Sequence, residues 1–281
     1  MDNVTFPSNG LEIAGHLHRP EGAPRGAIVV GHPGTGVKEQ TAGLYAQQLA
    51  EQGFLALAFD AAYQGESAGE PRGLEDPFQR VEDIRAAAKF LGEEDERVGV
   101  LGICASGGYG VAAAGTDHRI RAIATVSLAD IARQFRFGAD GTQDPAVLQG
   151  MLDQVRDGGF TLFPETGEQA RAGGPHSYEG WEYYCTPRGE HPRSAKTVTW
   201  SSVGRIAAFD AFRAVDLIAP RPLLLVAGRE AVTSWMSVEA YQKAGGPKEF
   251  HWVDGATHVD LYDRYVPQVV ERVTEFFAKN L

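Results

Sequence analysis

The chain has 281 residues, 43% of them hydrophobic, with 34 glycines and a formal net charge of −11. That length accommodates one large α/β domain or two small ones, and the acidic balance argues against nucleic acid or an anionic membrane surface as a partner. The start, Met1-Asp2-Asn3-Val4, is neither basic nor apolar, no run is long enough to span a bilayer, and the two cysteines make no disulfide framework, so a reduced cytoplasm is the expected setting.

Asn3 to Pro7 and Leu11 to His18 alternate apolar and polar residues around Ser8-Asn9-Gly10, which predicts an antiparallel hairpin. Gly26 to Gly31 is a short buried strand that opens into His32-Pro33-Gly34-Thr35-Gly36. Lys38 is not followed by Ser or Thr, so this glycine-rich loop is not a phosphate-binding P-loop. It fits the second donor segment of an oxyanion hole, or else a plain strand-to-helix turn. Pro33 has no N–H, which leaves Gly34 or Thr35 as the donor.

Helical spacing runs from Gln40 to Gln52, followed by the buried strand Phe54 to Asp60 and a long loop to Arg72. Asp76-Pro77 caps a helix that reaches about Leu91. The next run is the most informative. Val98 to Ile103 is β-branched and apolar, and it leads directly into Cys104-Ala-Ser-Gly-Gly-Tyr-Gly110. A strand, a very tight turn and a buried Ala/Gly-rich helix with small residues at minus two and plus two form a nucleophile elbow. Gly102 and Ser106 take the small positions, and Cys104 stands at the tip where a serine is usual. An inert buried cysteine, or Ser106 as the nucleophile, are the competing readings. In the elbow reading the N–H of Ala105 is the other oxyanion donor.

Ile120 to Leu128 is another β-rich run, ending in Ala129-Asp130. Strand and helix alternate to this point, which argues for a parallel sheet with right-handed crossovers. The pattern then breaks. Residues 131–211 carry no strong strand, much Gly and Pro, and many aromatics, and are expected to form a partly helical cap over the sheet. Trp181, Tyr183 and Tyr184 are the candidates for its substrate-binding wall; anchoring the insertion to the body is their plainer role. Alternation resumes with the strand Pro222 to Gly228, a helix around Val238 to Lys243, the strand Lys248 to Val253, and a final helix from Val266 to Phe277. One core, 1–130 and 212–281, with one cap, 131–211, is expected.

A thiol needs a base to become a good nucleophile. Of the eight histidines, His258, in the loop after the last core strand and downstream of the nucleophile, is the candidate base. His176 and His191 fall in the cap, and His32 lies in the oxyanion loop.

Four stretches, Gly31-His-Pro-Gly-Thr-Gly-Val-Lys-Glu-Gln40, Phe59-Asp-Ala-Ala-Tyr-Gln-Gly-Glu-Ser67, Gly102-Ile-Cys-Ala-Ser-Gly-Gly108 and Gly255-Ala-Thr-His-Val-Asp-Leu-Tyr-Asp263, resemble the dienelactone-hydrolase-like branch of the α/β-hydrolases, which carries Cys where most relatives carry Ser. The resemblance covers the body of the chain outside the cap. It implies the α/β-hydrolase fold, a mostly parallel twisted sheet with helices on both faces and an inserted cap. It also implies a Cys-His-acid triad, with the acid usually an Asp just after the strand that here ends at Gly228. That place holds Glu230; Asp130, at the end of the preceding core strand, is the rival. Glu39, in the oxyanion loop, is a further carboxylate that the resemblance brings near the thiol.

These residues predict acyl transfer on a small-molecule ester, lactone or thioester through an acyl-thioester on Cys104, with no metal and no cofactor. Thioester exchange is nearly thermoneutral, so a carrier thiol could deliver the acyl group. Hydrolysis is the commoner outcome in this fold; a cyclase or acyltransferase is the alternative, and a non-catalytic small-molecule-binding protein is the competing class. The sequence carries no signature of oligomeric state.

Overall fold

Tight turns and buried β-branched runs decide the architecture. The computed structural model describes residues 1–154 and 157–281. The hairpin forms as β1 (Asp2–Ser8) and β2 (Leu11–His18), in register from Asp2 opposite Leu17 to Ser8 opposite Leu11. It is followed by β3 (Ala27–Gly31), α1 (Thr41–Glu51), β4 (Leu55–Phe59), α2 (Pro77–Gly92), β5 (Val98–Ile103), α3 (Ala105–Thr116) and β6 (Ile120–Val126). Residues 131–211 then hold α4 (Ile131–Phe137), α5 (Pro145–Asp153), β7 (Gly159–Thr161), α6 (Gly167–Ala172), α7 (Pro175–Tyr184), β8 (Thr197–Thr199) and α8 (Ser201–Ala207). The chain closes with β9 (Leu223–Gly228), α9 (Ser234–Lys243), β10 (Lys248–Val253), a 3-10 turn at Val259–Tyr262 and α10 (Val266–Asn280).

One eight-stranded sheet has the order β1-β2-β4-β3-β5-β6-β9-β10. Strands β3, β4, β5, β6, β9 and β10 are parallel, and the hairpin joins β4 antiparallel through β2. Both faces are covered, which is why the central strands read as unbroken apolar runs rather than alternating ones. Helices α1 and α10 pack one face, α10 through Val266, Val269, Val270, Val273, Phe276 and Phe277. Helices α2 and α3 pack the other. Asp76 caps α2 by accepting from the N–H groups of Phe78 (3.1 Å) and Gln79 (3.4 Å), with Pro77 in the first turn.

Within 131–211, strands β7 and β8 pair with each other as a separate two-stranded ribbon. The sequence predicts no strand here, and the reason is length: three residues are too few for a period of two to show. The segment is tied to the body by polar clips. Gln40 donates to the carbonyl of Gly189 (2.6 Å), Ser194 to that of Thr35 (2.8 Å), and Arg188 pairs with Asp263 (2.8 Å). No helix among the described residues is long and apolar enough to cross a membrane.

Candidate active site

The turn after β5 is as tight as its small residues allow. Cys104 has φ 54° and ψ −119°, a region that costs a non-glycine residue about 1–3 kcal/mol. Its own backbone holds it there. The Cys104 N–H donates to Val126 O (3.0 Å), and its carbonyl accepts from Gly107 (2.8 Å) and Ala129 (3.0 Å). A Cβ on Gly102 would stand 2.2 Å from the carbonyl oxygen of Ser106, and one on Gly31 would stand 2.7 Å from the Ser106 side chain. The Ser106 hydroxyl is buried and donates to the carbonyl of His32 at 2.5 Å, so it faces the packing between helix and strand. The thiol of Cys104 instead faces a cavity.

The Tyr262 hydroxyl and the backbone N–H groups of Ala105 and Gly34 bear on the sulphur. Burial pushes the thiol up, and these three pull against it. The Gly34 loop is fixed from behind. His32 is buried, with Nδ1 2.6 Å from Pro33 O and Nε2 accepting from the Ala61 N–H at 3.0 Å, which makes Nδ1 the protonated nitrogen. Arg80 donates to the His32 carbonyl at 3.1 Å. Thr35 is buried at φ 58°, and its carbonyl takes the Ser194 bond that clips the segment 131–211 to this loop.

His258 lies at the start of the 3-10 turn after β10, and Tyr262 one turn further on. Its Nε2 is 3.0 Å from the Tyr262 hydroxyl and its Nδ1 is 2.5 Å from the hydroxyl of Thr233. Tyr262 therefore bridges the imidazole and the thiol. Burial pushes the imidazole down to about 3, the neighbouring His176 acts in the same direction, and Glu179 opposes both. At neutral pH the imidazole is an uncharged base.

The two carboxylates expected beside His258 lie elsewhere. Asp130 is buried, caps α4 by accepting from the Ala132 N–H (2.9 Å), accepts from Ala211 N–H (3.2 Å) and pairs with Arg133. Glu230 is exposed in the loop after β9. Thr233 occupies the acid's position at Nδ1, which corrects the expectation of a Cys-His-acid contact through either residue. Glu39 is taken up by Lys38 (2.9 Å) and Arg193, and does not join the three groups around the thiol. The carboxylate that bears on His258 is Glu179 of α7. It accepts from the Val259 N–H at 3.1 Å and from His176 Nδ1 at 2.8 Å, and the His176 ring stands edge-on to His258 with centroids 5.1 Å apart.

Cys104, Gly34, Ala105, His258 and Tyr262 line a cavity of about 320 Å³. Its far wall comes from 131–211: Phe135, Leu162, Phe163 and Tyr184 with Gln134 and His176. None of its lining side chains among the described residues is Lys, Arg, Asp or Glu. Of the three aromatics singled out from the sequence, Tyr184 lines this wall, stacked on Phe163 at 4.8 Å. Trp181 and Tyr183 are not among its lining residues, which corrects their expected place. Trp181 stacks on Tyr178 (6.1 Å), and Tyr183 is buried edge-on to Tyr262 (5.3 Å). On a helix Tyr183 points about 100° away from Tyr184, so these two adjacent aromatics cannot face one wall. Thr233 and Tyr262 escape a reading of the sequence. Tyr262 leaves a signal, the four-residue spacing from His258 that sets both on one side of a turn.

Residues 13–127 match the dienelactone hydrolase family. The chain is 40% identical over 271 residues to the uncharacterized protein YcjY of Escherichia coli, covering 91% of this chain and 89% of that one. The crystal structure of the hypothetical protein PA2218 from Pseudomonas aeruginosa superposes with a TM-score of 0.92 at 35% identity, over 100% of this chain and 93% of that one. Polyketide transferase af380 of Aspergillus fumigatus is 26% identical, over 100% of this chain and 98% of that protein. With its parallel sheet, its elbow and these relatives, the chain belongs to the dienelactone hydrolase family and has the α/β-hydrolase fold.

Proposed function

We propose that this protein is a cysteine-dependent acyl-transfer enzyme in which 131–211 acts as a cap and water is the ordinary acceptor. Its substrate is a small ester, lactone or thioester with an apolar, uncharged acyl group. The observation that carries this reading is the arrangement at one cavity wall: a thiol on a strained elbow, two backbone N–H groups at its sulphur, and a hydroxyl that links it to a neutral imidazole.

Thiol and imidazole are both uncharged at rest, because burial raises the one and lowers the other. Attack is therefore coupled to proton transfer. The Cys104 S–H passes its proton to the Tyr262 oxygen as the Tyr262 O–H passes its own to His258 Nε2, while sulphur bonds the substrate carbonyl carbon. The oxyanion forms against the N–H groups of Gly34 and Ala105. Its collapse breaks the bond to the leaving oxygen or sulphur, which takes the proton from His258. An acyl-thioester on Cys104 remains. Nδ1–H stays donated to Thr233, a neutral partner that orients the ring but stabilises imidazolium less than a carboxylate does. Glu179 supplies negative charge from the cap side.

The uncharged wall of the cavity supports a neutral acyl group over one bearing a carboxylate, since an ionised group there would lose hydration without a cationic partner. The same apolar wall, and the likeness to a polyketide transferase, favour a second reading in which a nucleophile other than water takes the acyl group. Carrier-delivered thioesters fit either outcome. The test is a panel of 4-nitrophenyl esters, lactones and acyl-thioesters, matched in size with and without a terminal carboxylate, with product analysis. Neutral apolar members should lead by about 10-fold or more in kcat/KM. A Cys104→Ala protein that keeps wild-type turnover overturns the proposal, and free acid against transferred or cyclised product separates the two acceptors.

A further inference from the structure

The cavity contains a second histidine, and it is this one that has a carboxylate. His176 Nδ1 is 2.8 Å from Glu179 Oε1, within the first turn of α7. An ionised carboxylate only accepts, so Nδ1 is the donor of this pair and Nε2 is the nitrogen that can act as a base. The Gln134 amide nitrogen stands 3.5 Å from that Nε2, on the donor side for such a tautomer. Glu179 is itself held, through its other oxygen, by the Val259 N–H at 3.1 Å. His176 lines the cavity together with Cys104 and His258, and its ring stands 5.1 Å from that of His258. An imidazole on the same cavity as the thiol, with its ring fixed by a carboxylate, is the kind of group that general-base catalysis uses. His258 has instead a neutral hydroxyl at Nδ1, and its Nε2 is engaged by Tyr262.

We propose that His176, oriented by Glu179, is the base for the second half-reaction: it takes the proton from the acyl acceptor as the acceptor's oxygen attacks the acyl-thioester on Cys104. The new C–O bond forms, the C–S bond breaks, and sulphur leaves as thiolate. The proton held on His176 returns to that thiolate as the site resets, so neither base ends with a net change. The division of labour is between walls. The sheet side forms the acyl-enzyme, and the α7 side resolves it. His176 is a catalytic residue in this scheme and Glu179 a positioning residue.

The inference rests on the acyl-Cys104 reading, and the experiment keeps the two apart. Stopped-flow release of 4-nitrophenol from 4-nitrophenyl butyrate measures the burst and the steady state, and intact-mass analysis measures the butyryl adduct. His176→Asn should keep the burst rate within about threefold while the steady state falls by about 100-fold. The adduct should accumulate, and it should be absent from the Cys104→Ala, His176→Asn double variant. Glu179→Gln should move in the same direction by a smaller factor. Hydroxylamine attacks thioesters without a general base and should restore turnover to both. A role for His176 confined to packing against His258 predicts equal loss in burst and steady state and no hydroxylamine rescue, and that result overturns the inference. So does a steady state within threefold of wild type. If Cys104→Ala alone retains turnover and no adduct forms on any variant, the acyl-enzyme reading itself is what fails.

Discussion

The two walls of the cavity are built by different means. On the sheet side, position is set by main chain. Gly102 comes so close to Ser106 that no side chain fits, Cys104 is held by three backbone hydrogen bonds, and the Gly34 loop is fixed by a buried His32 and Arg80. On the other side, short helices are held by side-chain clips such as Arg188 with Asp263 and Gln40 with Gly189. The difference teaches where variation is tolerable. No side chain can be added at Gly102 without disturbing the β5–α3 junction, whereas the 131–211 side rests on contacts between individual side chains.

The largest expected effect bears on the sheet side. His258→Asn should lower kcat/KM by about 10²–10⁴-fold, and Tyr262→Phe by about 100-fold because the thiol loses its path to the imidazole. The double variant should lose little more than His258→Asn, since the two act on one proton. Additive losses in a double-mutant cycle would mean that Tyr262 does not lie between them.

A contrast in stability comes next. Gly102→Ala puts a methyl 2.2 Å from a backbone oxygen and should cost about 3 kcal/mol in urea denaturation. An acid sensitivity that belongs to His258 follows in size. Its folded value of about 3 lies below the ordinary 6.5, so between those values the unfolded chain binds the extra proton. Stability should be unaffected by this group above pH 6.5 and fall below it, by about 2 kcal/mol at pH 5. His258→Asn should flatten that part of the profile, measured by denaturation at pH 7 and pH 5. An unchanged profile would mean that the imidazole is not held neutral.

The smallest effect belongs to the other wall. Gly150, within α5 in the segment 131–211, is exposed, and a Cβ added there would meet nothing within 4 Å. Gly150→Ala should therefore stabilise by about 0.5–1 kcal/mol in the same urea denaturation. Equal effects at Gly102 and Gly150 would erase the distinction between the sheet core and the segment 131–211.

The sheet side is also the legible one. Val98 to Ile103 and Leu223 to Gly228 are buried on both faces, so they read as apolar runs, and the elbow leaves a sequence mark because its sterics demand small residues at fixed offsets. His258 follows from its place after the last strand. Thr233 does not, because a hydroxyl five residues past a strand has no pattern of its own, and a triad calls for a carboxylate there. Glu179 and His176 are hidden for a different reason. They reach the site only because α7 folds back onto the loop after β10, a long-range contact that no local spacing encodes. The run Trp181 to Tyr184 reads as one aromatic wall, but of its aromatics only Tyr184 lines the cavity.

The proposed reaction requires that Cys104 carry the acyl group. The most direct measurement is rapid-quench intact-mass spectrometry with 4-nitrophenyl butyrate, followed by peptide mapping, on wild type, Cys104→Ala and Cys185→Ala. One butyryl group on Cys104 is expected in wild type and in Cys185→Ala, appearing as fast as the 4-nitrophenol burst, with none in Cys104→Ala. Turnover by Cys104→Ala, or an adduct mapped to another residue that forms at the burst rate, would contradict it.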